Sequence, residues 1–161
     1  FHPETVSYDK NSHFADKLIA VMKDLKEQII ITMPNADTMG NIVREKLKNF
    51  IDTNKTRVFG FESLGTSGYF SCMKHCSFLL GNTSSGIIEA ASFAKYVINL
   101  GDRQKGRLSG KNVLHCPIEQ TAIAQTIAKI QTMPKLDTEN IYGQGNTAEK
   151  IISILKNTFK N

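Results

Sequence analysis

Short apolar runs alternate with stretches of helical periodicity along almost the whole chain, and that alternation limits the fold more than any single residue. Residues 28–33 hold Ile29-Ile30-Ile31, too short a run for a helix and apolar at every position, as in a strand buried on both faces. Residues 57–61, 78–80, 96–100 and 112–115 read as further strands. Between them, Phe14, Leu18, Val21 and Leu25 recur at helical spacing behind Ser12, a residue type that caps helices, and Met39, Val43, Leu47 and Phe50 do so behind Thr38. Shorter helices are expected at 69–75 and 84–93, and longer ones at 118–130 and 147–159. The last carries Ala148, Ile151, Ile152, Leu155 and Phe159 on its apolar side. Strands that alternate with helices pair in parallel through crossovers, so the expected architecture is a doubly wound α/β sheet with helices on both faces.

The 161 residues suit one domain with a real core. A hydrophobic share of 40% and a charged share of 22% are ordinary for a globular protein and argue against disorder. The net charge of +5 suits an anionic ligand, but the lysines are scattered over helix-like segments, and no basic run with interleaved aromatics suggests nucleic acid. No apolar stretch approaches the roughly 18 residues of a membrane span, and no signal peptide is visible. Three cysteines cannot all pair within one chain, which fits a reducing cytoplasm.

In a doubly wound sheet, ligands bind beyond the carboxyl ends of the strands. The unusual loops here follow strands: Pro34-Asn35-Ala36-Asp37, residues 62–68, Gly81-Asn82-Thr83-Ser84-Ser85, and Gly101-Asp102-Arg103-Gln104-Lys105-Gly106-Arg107. The stretch Gly81 to Glu89 places two glycines and three hydroxyls where a strand turns into a helix. Backbone N–H groups and the helix dipole make such a turn a phosphate site, and a capped helix is the plainer alternative. Glu89 lies where a carboxylate accepts hydrogen bonds from sugar hydroxyls, or where an early helical Glu meets the dipole. Arg103 and Arg107 either grip phosphate oxygens or stand solvated on a surface turn. Asp37 suits a helix cap, and Cys72, His75 and Cys76 share one short helix and read as packing rather than a metal site. His13 and His115 have no evident partner in the sequence. Phe1-His2-Pro3 looks like the tail of a strand whose body lies outside the sequence, and in a doubly wound sheet that first strand is central.

The chain resembles the C-terminal half of a UDP-N-acetylglucosamine 2-epimerase of the hydrolysing type. The resemblance is carried by the His2-Pro3 start, Pro34-Asn35-Ala36-Asp37, Gly81-Asn82-Thr83-Ser84-Ser85-Gly86-Ile87-Ile88-Glu89, Asn99-Leu100-Gly101-Asp102-Arg103-Gln104-Lys105-Gly106-Arg107, and Ile141-Tyr142-Gly143-Gln144-Gly145-Asn146. It implies a Rossmann-like C-terminal domain of a glycosyltransferase-B-type fold, here the single domain 1–161, that binds UDP and UDP-N-acetylglucosamine. His2 then matches a histidine near the phosphates, Asn35 a residue of the nucleotide site, Thr83 and Ser84 hydroxyls on the phosphates, and Arg103 an arginine of the same site. Glu89 matches the carboxylate on the ribose, and Tyr69 falls where relatives put an aromatic near the uracil. Thr83 departs from the commoner serine but keeps the hydroxyl.

The implied chemistry is elimination followed by hydration. A base removes the C2 proton while UDP leaves C1, and water adds to the resulting glycal to give free N-acetylmannosamine for sialic acid or polysialic acid capsule synthesis. The acids that move protons belong to a missing N-terminal domain, so no catalytic residue is expected in this chain and the fragment alone is expected to be inactive. Neither an organic cofactor nor a metal is needed. The intact enzyme is expected to be a cytoplasmic homo-oligomer, although the residues themselves are silent on oligomeric state. A non-hydrolysing epimerase, a glycosyltransferase of the same fold and a stand-alone nucleotide-binding module remain alternatives.

Overall fold

The computed structural model describes residues 1–4, 8–34, 41–137 and 140–159. Helices and strands alternate through them as α1 (Asn11–Asp24), β1 (Ile29–Thr32), α2 (Asn41–Thr53), β2 (Val58–Phe61), α3 (Gly65–His75), β3 (Phe78–Gly81), α4 (Ser84–Ile88), β4 (Tyr96–Leu100), β5 (Val113–Cys116), α5 (Gln120–Thr132) and α6 (Thr147–Thr158). Every strand pairing is parallel. The strands form two sheets, β1 with β2, and β3-β4-β5 in that order. No described helix is long and apolar enough to cross a membrane.

One core joins the two sheets. Ala15, Leu18 and Val21 of α1, Val43, Leu47 and Phe50 of α2, and Ile123, Ile127 and Ile130 of α5 pack with Ile31, Val58, Ile98, Leu100 and Cys116 from four strands. Side chains alternate along a strand, so Val97, between Tyr96 and Ile98, points to the opposite face. There it meets Met73 of α3 and Ala90, with Leu79 and Val113 beside them. Helices therefore cover both faces of β3-β4-β5, as the doubly wound reading requires.

Three expectations change. Ile30 is 50% exposed, and Phe59 and Phe61 on β2 are exposed with it, so β1 is buried on one face only: α1 and α2 cover one side, and no described element packs on the other. The helix expected at 84–93 is α4 followed by a 3-10 turn over Ala90–Phe93. Ser92 N–H reaches the Glu89 carbonyl and Ala94 N–H that of Ala91, the tighter spacing of a 3-10 turn, where Ala90 and Ala91 bury against the sheet. The apolar side of α6 is not part of the core, because no residue of that helix is buried.

The first residues are stitched to the carboxyl ends of β3 and β4. The buried Asn11 pairs with the backbone of Glu4 in both directions, accepting its N–H at 2.8 Å and donating to its carbonyl at 2.9 Å. The Glu4 carboxylate accepts the Asp102 N–H at 2.8 Å, passing over Gly101. Gly101 has φ +67°, and a Cβ there would collide with Glu4 Oε1 and meet Ile118 Cδ1 at 2.8 Å. Gly101→Ala should therefore destabilise the fold by about 1–3 kcal/mol, from a left-handed backbone and a crowded contact together. Chemical denaturation checks this, and an unchanged midpoint would show that the Glu4 contact is absent in solution.

Candidate functional site

Parallel strands send their carboxyl ends to a common edge, and the polar loops collect there. Asn82 follows β3 directly and is fully buried. Its amide accepts the His2 N–H at 2.7 Å and donates to the His2 carbonyl at 2.8 Å. Its own carbonyl accepts Nη1 of Arg103 at 3.2 Å and Nε2 of the buried Gln104 at 2.8 Å. His2, Arg103 and the Thr83-Ser84 pair that follows Asn82 thus meet at one residue. Thr83 Oγ1 accepts the Ser85 N–H at 3.4 Å, a long cap bond, so the capping role foreseen for this turn is real. Ser84 opens α4 beside it, and at five residues this helix offers N–H groups more than a dipole. Arg103 as a whole is exposed.

Next to this cluster lies a cleft of about 500 Å³ lined by Thr32, Glu62, Leu64, Tyr69, Ser85 and Glu89 among others. Glu89 hangs from the end of α4, where its N–H reaches the Ser85 carbonyl at 2.9 Å. Its Oε2 is buried and takes no hydrogen bond among the described residues. A buried carboxylate oxygen without a donor is costly unless something polar reaches it. Tyr69 lines the same cleft while packing against the Met73–Ala90–Val97 cluster, so its ring is held from behind. Phe70 braces that wall, its ring 5.3 Å from that of Phe93.

Of the residues singled out in the sequence, His2, Thr83, Ser84 and Arg103 gather around Asn82, and Tyr69 and Glu89 face the adjoining cleft. Asn35 lies outside the described residues. Asn82, Gln104 and Ser85 carry no individual role in the sequence reading, although two of them stand inside its main motif. Nothing in local periodicity signals that a segment 80 residues away lies against the Asn82 amide. The loop after α5 is tied in as well. Asn140 donates to the Ile88 carbonyl and to Ser92 Oγ, both at 2.7 Å, and the Tyr142 hydroxyl donates to the Leu108 carbonyl at 2.6 Å. His115 proves to have partners, since Asn99 Nδ2 donates to its Nδ1 at 3.1 Å and its Nε2 lies 3.2 Å from Ser109 Oγ. Cys76 donates its thiol to the Met73 carbonyl at 3.3 Å, and burial pushes that thiol above the ordinary range.

Comparison with known proteins gives the family and the fold. The family model described as UDP-N-acetylglucosamine 2-epimerase matches residues 1–156. The chain is 33% identical to the UDP-N,N'-diacetylbacillosamine 2-epimerase (hydrolyzing) of Legionella pneumophila, covering 97% of this chain and 41% of that protein. It is also 33% identical to polysialic acid biosynthesis protein P7 of Escherichia coli, covering 100% of this chain and 42% of that protein. The chain thus spans about two-fifths of the length of these relatives. A solved structure, the S. aureus MnaA–UDP co-structure, matches with a TM-score of 0.73 at 16% identity, over 98% of this chain and 43% of that one. At that identity the match establishes the fold.

At the rim of the cleft, Nη2 of Arg44 lies 2.7 Å from both carboxylate oxygens of Glu62. That hydrogen bond, aided by the charges of Arg44 and Lys48, holds the exposed Glu62 carboxyl below its ordinary range. A depressed carboxyl lends stability above its unfolded pKa and loses it as pH falls through the folded value. Arg44→Met should raise the Glu62 titration toward that of a free side chain, measured by NMR. It should also flatten the dependence of stability on pH below the ordinary carboxylate range. A Glu62 titration unmoved by the substitution would mean that the pair does not form in solution.

Proposed function

The chain belongs to the UDP-N-acetylglucosamine 2-epimerase family, and from that premise we propose that it is the UDP-holding half of a hydrolysing member. The observation that carries this reading is the meeting of His2, Arg103, Thr83 and Ser84 at Asn82, beside a cleft lined by Glu89, whose buried Oε2 takes no hydrogen bond among the described residues. The hydroxyls, N–H groups and guanidinium suit a pyrophosphate, whose charge grows as its bond to the sugar breaks. The Glu89 oxygen suits a ribose hydroxyl, and Tyr69 offers a ring face for the base. In this reading the C2 proton is removed and water is added by groups supplied from outside these residues. This half stabilises the departing UDP, and neither role calls for a cofactor.

In the full-length enzyme, Glu89→Ala should weaken UDP binding by about 1.5–3 kcal/mol, the scale of a hydrogen bond to a charged group. Titration calorimetry reads this directly, and wild-type affinity in the variant would remove Glu89 from the ribose.

Proton NMR of the full-length enzyme should reveal UDP together with a free C2-epimerised sugar. Both UDP-N-acetylglucosamine and UDP-N,N'-diacetylbacillosamine are worth offering, because a relative at 33% identity is named for the second. Turnover of the first alone supports N-acetylmannosamine as product, and turnover of the second alone redirects the sugar assignment. An equilibrium of two UDP-sugars without free sugar would identify a non-hydrolysing epimerase instead.

A further inference from the structure

We propose that Asn82 is a positioning residue for the phosphate site, and that its side-chain amide sets where the His2 imidazole stands. This rests on the UDP-binding reading above and adds to it a residue that neither the motif nor the family match assigns. The amide meets the His2 backbone with an acceptor at 2.7 Å and a donor at 2.8 Å, the pattern by which a neighbouring peptide group would hold an extended residue. Asn82 is fully buried, so neither bond is exchanged for water at little cost. With both backbone groups of His2 held, the positions open to its imidazole are limited to those its side-chain torsions reach.

The main chain of the same residue acts on a second group. Its carbonyl accepts Arg103 and Gln104, so a change confined to the side chain leaves that bond in place. The side chain governs His2 and the main chain governs Arg103, which makes the two effects separable by mutation. Asn82→Asp keeps the size of the side chain and the acceptor for the His2 N–H. It replaces the donor with an oxygen facing the His2 carbonyl, which repels it.

The test is a double-mutant cycle in the full-length enzyme with UDP affinity as the readout. Asn82→Asp should weaken UDP binding about ten- to hundredfold in the wild-type background and less than about threefold when His2 is already Ala, because the group it positions is gone. A role confined to stability would give the same loss in both backgrounds, and that result overturns the proposal, as does wild-type affinity in the Asn82→Asp single variant where His2→Ala itself weakens binding. If the Asp variant does not fold, Asn82→Ala removes both amide contacts without adding charge and enters the same cycle. A second measurement separates this proposal from the reading beneath it. The NMR signals of the His2 imidazole, in the absence of ligand, should shift in the Asn82 variant. Shifted signals with UDP affinity insensitive to His2→Ala would uphold the positioning and remove the His2 imidazole from the UDP contacts, whereas unshifted signals would overturn the positioning itself.

Discussion

Parallel pairing is the constraint from which the rest of the molecule follows. Each strand pair runs in the same direction, so every strand must be reached by a crossover and every carboxyl end faces one edge. The crossovers supply the helices that close the core. The shared edge brings Asn82 after β3, Gly101 to Arg107 after β4 and Glu62 after β2 into one region, although they are far apart in the chain. In an antiparallel meander of the same strands, these loops would be divided between two ends.

Buried asparagines do the work of a neighbouring strand at that edge. Asn11 pairs with the backbone of Glu4 and Asn82 with that of His2, each through one acceptor and one donor. Burying an amide is costly unless its hydrogen-bonding capacity is used, and these two use both ends on the backbone of His2 and Glu4. The result is a short segment held at both ends, with the Glu4 carboxylate adding a third tie at Asp102. Among the described residues, by contrast, two buried oxygens of the same region, Oε2 of Glu89 and Oε1 of Gln104, take no hydrogen bond. The two asparagine amides use both their ends, while Glu89, which lines the cleft, keeps bonding capacity.

The fold class and most elements were legible because periodicity is a local property. The runs at residues 29–31, 78–80 and 96–100 became strands, and the helix cores around Leu18, Leu47 and Ile123 lie where helical spacing puts them. The misjudged features depend on neighbours. Ile30 has the same side chain as Ile29 and Ile31, yet it is exposed because no described element covers its face of the sheet. The break between α4 and the Ala90–Phe93 turn occurs where the chain seats small residues against β4, a contact with no counterpart in helix propensity. α6 has a clear apolar side that buries nothing, because amphipathicity states what a helix would bury and not whether a partner is present.

The site divides in the same way. Residue types at a strand-to-helix turn nominate Thr83, Ser84 and Glu89 for a phosphate and a sugar, with a capped helix as the alternative that the same residues serve. The order of the motifs along the chain was enough to name the family. Only the tertiary structure decided that His2 and Arg103 converge on Asn82, that Oε2 of Glu89 is buried without a partner among the described residues, and that Asn140 and Tyr142 tie a distant loop to Ile88, Ser92 and Leu108. A sequence records which groups each residue can offer, and hydrogen bonds between segments 21 to 80 residues apart arise only when packing brings donors and acceptors to within 3 Å or so of each other.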